Sequence, residues 1–163
     1  MQERGSKKVA KKIFPKEEVC VGCHLCEVYC VYAHSKYKKP TVKAHELVKL
    51  YNKHRDLKPT PRILVEEKSG EWTTFALQCR HCDDAPCTKA CITGAMKKLE
   101  DGRVICDEEK CVGCWSCIMA CPHGAVRRGE NKKAASKCDL CLELGEPACV
   151  KNCPNEALVI KEV

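Results

Sequence analysis

The stretch "CVGCWSCIMACP", residues 111–122, places Cys111, Cys114 and Cys117 two residues apart, Cys121 after a gap of three, and Pro122 directly behind it. A disulfide framework has no use for that rhythm, and a zinc site takes its ligands as two separated pairs. Three thiols on one tight loop can reach three corners of a metal–sulfur cube. The fourth, one helical turn on, points away from that cube and serves a different one. Four residues of helix rise only ~6 Å. Two cubes held from this stretch would be close enough for electrons to pass between them. Gly113 suits a backbone pressed against inorganic sulfide, and Pro122 stops the turn because proline cannot continue a helix.

Three further groups of four cysteines follow the same plan. The first motif is "CVGCHLCEVYC" with Cys20, Cys23, Cys26 and Cys30. The second is "CRHCDDAPCTKAC" with Cys79, Cys82, Cys87 and Cys91. Residues 111–122 are the third. The fourth is "CDLCLELGEPACVKNCP" with Cys138, Cys141, Cys149 and Cys153. Its seven residues between Cys141 and Cys149 are a wider gap, which leaves a zinc or three-iron site open there. Cys106 stands outside every motif, and its parity with Val104 on a short strand makes it a small buried hydrophobe.

Composition fits thiol-bound metal. Cysteine is 17 of 163 residues, an odd number, while aromatics are 5% and mean hydropathy is −0.38. The charged N-terminal stretch shows no secretory signal, so the cysteines are expected as cytoplasmic metal ligands rather than disulfides. No window is apolar enough for a membrane span. The formal charge of +7 falls to about −1 once sixteen thiolates and four 2+ cluster cores are counted. The lysines are scattered and no nucleic-acid reader motif is present, so nucleic acid is not an expected partner.

Three motifs share an echo behind their last cysteine: "ITGAM", "PHGAV" and "PNEAL" place Ala95, Ala125 and Ala157 at the same offset, each followed by an apolar residue. "GRVIC" and "ALVIKEV" read as short strands. The long cysteine-free linker, residues 31–78, carries an amphipathic helix in "TVKAHELVKLYNK", with Leu47, Val48 and Tyr51 on one face, and a hairpin in "RILVEEKSGEWTTFAL" turning at Ser69–Gly70. It reads as a packed spacer or as a docking surface.

Other candidates weigh less. With four cysteines available each time, His24 and His81 are bystanders to ligation. Trp115 packs beside a cluster, and Asp83–Asp84 belong to a solvated loop. No nucleophile–base pair, phosphate loop or dinucleotide fingerprint is present, so no catalytic residues are expected.

"QCRHCDDAPCTKAC", "KCVGCWSCIMACPHGAV" and "KCDLCLELGEPACVKNCPNEAL" carry a resemblance to the four-cluster iron–sulfur subunits of the dimethyl-sulfoxide-reductase type, running from Cys20 to the C-terminus. The chain looks more specifically like the small soluble members serving carbon monoxide dehydrogenase, tungsten aldehyde oxidoreductase, hydrogenase or formate dehydrogenase. It departs where Val31 and Ile92 stand in place of a proline. The resemblance implies an α+β fold of two ferredoxin-like dicluster modules, one nested in the other. The outer module is residues 19–30 plus 132–163, the inner one 79–131, with a basic tail at 1–18. It also implies a cluster assignment: Cys20, Cys23, Cys26 with Cys153; Cys30 with Cys138, Cys141, Cys149; Cys79, Cys82, Cys87 with Cys121; and Cys91 with Cys111, Cys114, Cys117. Spacing by itself leaves open a sequential pairing of first with second motif and third with fourth. The implied function is relay of single electrons through four [4Fe-4S] clusters. They would run between a catalytic oxidoreductase subunit and an acceptor such as ferredoxin or a flavin- or NAD(P)H-linked subunit. A free-standing or wire-forming polyferredoxin and a zinc-rich interaction module are the alternatives.

Overall fold

The computed structural model describes residues 10–35, 45–46, 49, 60–68, 70, 73–129 and 133–163. Among them, eight short strands pair as four separate antiparallel ribbons, and the helices are short, giving an α+β architecture rich in loops.

The first ribbon joins the two ends of the described residues. β1 (Lys11–Pro15) pairs with β8 (Leu158–Glu162) in the register Lys11↔Glu162 to Pro15↔Leu158. The sequence suggests a basic tail here, but residues 11–15 form a strand and Glu17–Val19 a 3-10 turn. "KKIFP" is too short to show a strand period, and a lone strand is not stable. It forms because β8 supplies its partner. Ile13 is buried against the core, and the Lys161 ammonium sits 5.4 Å from the centroid of the Phe14 ring.

The expected hairpin is present as β2 (Ile63–Glu67) and β3 (Thr74–Gln78), with Gly70 at φ +83° in the turn. Its inward residues Ile63, Val65, Ala76 and Gln78 alternate as a half-buried strand pair requires. Two smaller ribbons complete the set: β4 (Met96–Lys98) with β5 (Val104–Cys106), and β6 (Arg127–Arg128) with β7 (Ala135–Ser136). The strands expected in "GRVIC" and "ALVIKEV" are β5 and β8. Of the expected linker helix, His45, Glu46 and Lys49 are helical and exposed. Leu47, Val48 and Tyr51 lie outside the described residues.

Four helices carry the motifs: α1 (Leu25–Ala33), α2 (Pro86–Lys89), α3 (Ser116–Ala120) and α4 (Ala148–Lys151). The second residue of each is the third cysteine of its motif: Cys26, Cys87, Cys117 and Cys149. α1 packs against α4, and α2 against α3. Two buried clusters result. One gathers Ile13, Ile63, Val65, Leu140 and Leu158 around Cys26, Cys30, Cys79, Cys138 and Cys149. The other gathers Met96, Val104 and Val126 around Cys87 and Cys117, with Cys121 packed against both. Among the described residues no helix is long and apolar enough to cross a membrane.

Candidate metal centres

All four ligand loops bend in the same way. The residue two places after the first cysteine is left-handed in each: Gly22 at φ +64°, His81 at +45°, Gly113 at +71° and Leu140 at +59°. That bend turns the chain back on itself, and in the first motif it leaves Cys20, Cys23 and Cys26 lining one cavity. Glycine is required most clearly at Gly113, where a Cβ would meet the Lys133 carbonyl oxygen at 2.9 Å. His81 and Leu140 adopt the same bend with side chains. Their backbone N–H groups donate to Cys79 Sγ and Cys138 Sγ, each at 3.4 Å.

The echo behind the fourth cysteines is a second shared turn. Gly94, Gly124 and Glu156 are left-handed, at φ +66°, +61° and +50°. Their N–H groups donate to the carbonyls of Cys91, Cys121 and Cys153 at 3.3, 3.4 and 3.2 Å. The alanine that follows is buried each time. The turn then aims a backbone N–H at sulfur: Met96 N–H to Cys91 Sγ at 3.3 Å, and Ala157 N–H to Cys153 Sγ at 3.2 Å. Arg62 N–H to Cys30 Sγ (3.2 Å) and Ala135 N–H to Cys111 Sγ (3.4 Å) bring such bonds to six among the described residues.

Folding gathers thiols from motifs far apart in sequence. Cys20, Cys23, Cys26 and Cys153 line one cavity, walled by Val65 and Ala76 of the hairpin. Burial pushes the Cys26 thiol up to about 12, and charge on Glu27, Cys23 and Cys153 adds to it. Burial likewise raises Cys141 to about 11 and Cys149 well above its ordinary value, with Cys30 acting on both. Cys87 rises to about 11 through burial, with Cys79 and Cys121 adding, and Cys117 rises through burial, with Cys111, Cys114 and Cys91 adding. Cys82 packs at the edge of the second core. The gatherings also share one buried core, which holds Cys26, Cys30, Cys79, Cys138 and Cys149 together. Cys26 acts on Cys149, and Cys79 on Cys138.

This donor set suits iron–sulfur chemistry. All seventeen cysteines are free thiols. Buried thiols resist ionising unless a cation is present, and a bound metal deprotonates them outright. Backbone N–H groups aimed at the sulfurs then stabilise the thiolates, which is the outer-shell pattern around iron–sulfur ligands.

The polar surroundings are where the sequence reading is least informative. His34, Arg62 and Asp139 form a partly buried network that it does not single out. His34 donates to the Cys30 carbonyl at 2.8 Å and to Asp139 Oδ1 at 3.0 Å, while Arg62 donates to Asp139 Oδ2 at 2.6 Å. Burial opposes the His34 charge, yet the Asp139 bond carries its pKa up to about 9. Burial opposes the Asp139 charge too, but His34 and Arg62 hold that carboxyl well below the usual range. His34 and Asp139 lie 105 residues apart, so no local pattern reveals the contact. At the first motif, His24 bonds Glu67 at 3.1 Å and pairs with Glu27 at 3.3 Å.

His81 is fully buried. Its Nδ1 accepts the Val104 N–H at 2.9 Å, and burial, with Lys137 nearby, drops its pKa to about 3. Trp115 is half-buried, with the Arg128 guanidinium 5.0 Å from its ring centroid. Asp83 and Asp84 are exposed, paired with Lys12 and Lys89. Cys106 is half-buried rather than buried. It ends β5 beside Cys111, where burial and the Cys111 thiol raise it to about 12.

Comparison with known proteins agrees with the donor chemistry. Residues 70–163 match the family model for a 4Fe-4S dicluster domain. The chain is 36% identical over 162 residues to an iron–sulfur protein of Rhodospirillum rubrum, covering 90% of this chain and 79% of that one. It is 36% identical over 158 residues to one polypeptide of the anaerobic dimethyl sulfoxide reductase of Escherichia coli (strain K12), covering 85% of this chain and 67% of the relative. It is also 37% identical over 155 residues to AegA of the same strain, which carries an oxidoreductase name. There the match covers 90% of this chain but only 21% of the relative.

Proposed function

The chain belongs to the 4Fe-4S dicluster family, and from that premise we propose that it relays single electrons through four [4Fe-4S] clusters in one row. It is an iron–sulfur electron-transfer subunit of an oxidoreductase-type system. In our reading Cys20, Cys23, Cys26 and Cys153 hold the first cluster, and Cys30, Cys138, Cys141 and Cys149 the second. Cys79, Cys82, Cys87 and Cys121 hold the third, and Cys91, Cys111, Cys114 and Cys117 the fourth. Each bound cluster supplies a site that takes up and releases one electron. The chain's own residues fix the order, exclude water and set the charge around each site.

The observation that carries this reading is the gathering of thiols across motifs. Cys153 shares a cavity with Cys20, Cys23 and Cys26, and the charges on Cys121 and Cys91 act on the second and third motifs respectively. The β1–β8 ribbon and the α1–α4 and α2–α3 packing support an outer module of residues 19–30 plus 132–163 around an inner one of 79–131. The linker hairpin then serves as a lid over the first cluster. Free thiols without disulfides suit a reducing, cytoplasmic setting.

One neighbour in the reading is a catalytic oxidoreductase subunit, of the tungsten aldehyde oxidoreductase, carbon monoxide dehydrogenase, hydrogenase or formate dehydrogenase type. The other is ferredoxin or a flavin- or NAD(P)H-linked subunit. The fourth cluster offers a contact face, because Ile92, Val112 and Met119 around it are 75%, 65% and 87% exposed. Iron and sulfide analysis with low-temperature EPR of anaerobically purified protein is the test. About sixteen irons per chain, four per cluster, are expected. Eight irons, or zinc without visible absorption, would sink the four-cluster reading.

A further inference from the structure

Lys137 is the one buried lysine among the described residues, 3% exposed. Its ammonium donates to the Val104 carbonyl and, at 2.7 Å, to the Cys138 carbonyl. These acceptors belong to different parts of the fold. Val104 lies on β5 in the core around Cys87 and Cys117, while Cys138 opens the fourth motif. His81, from the second motif, takes the Val104 N–H. One strand residue is therefore held on both backbone groups by side chains from two different parts of the ligand-bearing chain.

No carboxylate among the described residues pairs with Lys137. Its neighbour Asp139 is already engaged by His34 and Arg62. Carbonyl dipoles satisfy hydrogen bonds but do not cancel a charge, and a buried unpaired ammonium is strongly unfavourable. Both acceptors lie beside cluster ligands of our reading: one is the Cys138 backbone itself, of the second cluster, and the other, Val104, packs in one buried core with Cys87, of the third.

We propose that Lys137 is a buried counter-cation shared by the second and third clusters and raises the reduction potential of both. The proposal rests on the four-cluster reading. Reduction adds one electron from a partner to a cluster core, taking it from 2+ to 1+, while the thiolates and the ammonium are unchanged. The added negative charge is favoured by a fixed cation nearby, the more so in a low-dielectric interior. Lys137 thereby biases an electron toward the second and third clusters, in the middle of the row. The clusters at the two ends then exchange with partners.

The test is an EPR-monitored potential titration of the loaded protein and three variants, with iron counted in each. The iron count of the unmodified protein tests the four-cluster reading; the potentials test Lys137. In Lys137→Met two of the four couples should become harder to reduce by about tenfold in equilibrium constant, 59 mV for one electron, while the other two stay in place. Lys137→Gln keeps a donor for the carbonyls and should show the same shift. Lys137→Arg keeps the charge and should hold the parental values. Unmoved potentials in loaded Lys137→Gln or Lys137→Met, or an equal shift of all four, would overturn the proposal. So would glutamine and arginine variants that behave alike. Failure of all three variants to hold iron would also count against it, because arginine retains the charge held to matter.

Discussion

The first and third motifs both open with CVGC and share every cysteine spacing, yet the molecule surrounds them differently. In the third, Pro122 follows the last cysteine, α3 stops at Ala120, and Cys121 is extended. Ile92 and Met119 stand exposed around it, whereas Val112 and its counterpart Val21 in the first motif are exposed alike. In the first, Val31 occupies the place of that proline, and α1 runs nine residues to Ala33. The extra turn delivers His34 to the Cys30 carbonyl and to Asp139. The hairpin closes over the same loop. Thr74 donates to the Cys20 carbonyl at 2.9 Å, Val65 N–H donates to Glu27 at 2.6 Å, and His24 meets Glu67. Cysteine spacing fixes how thiols can meet a cube. The residue behind the last cysteine fixes what else the helix can reach, and with it how deeply the site is locked into the fold.

The ligands themselves carry the largest expected effect. Cys153→Ala should strip or convert the cluster on Cys20, Cys23 and Cys26, and Cys121→Ala the one on Cys79, Cys82 and Cys87. Each should lower iron from about sixteen toward about twelve. EPR that finds the other three clusters disturbed equally would contradict the assignment.

Val31→Pro imposes the exit of the third motif on the first. Proline inside α1 removes a hydrogen bond and clashes with the preceding turn, so anaerobic urea unfolding should show a loss of about 3 kcal/mol. An unchanged midpoint would mean that the longer helix contributes nothing. Asp139→Asn tests the contact that the longer helix makes. It takes the charge from the partner of His34 and Arg62, whose side chains are 15% and 18% exposed. A loss of about 2 kcal/mol is expected by the same measurement.

The smallest effect should be a gain. Glu156 holds, at φ +50°, the turn that Gly94 and Gly124 make elsewhere. Glu156→Gly removes a left-handed penalty of about 1 kcal/mol, partly offset by the greater freedom of glycine in the unfolded chain. A thermal midpoint that rises slightly without change in iron content would agree; a fall would show that the Glu156 side chain has a role of its own.

The ligand loops are legible in the order of residues alone. Cysteine spacing, the glycines, and the repeated alanine behind three motifs are covalent facts, and the left-handed bends at Gly22 and Gly113 follow from a few neighbouring residues. The strands in "GRVIC" and "ALVIKEV" and the 63–78 hairpin can be read for the same reason, because period and turn chemistry are local. What lies beyond that reach depends on partners distant along the chain. β1 needs β8, Cys26 meets Cys153 only after α1 packs on α4, His34 finds Asp139 across 105 residues, and Lys137 spans two cores. Spacing limits what one loop can hold, but only packing decides which loops share a centre and which charges are buried between them.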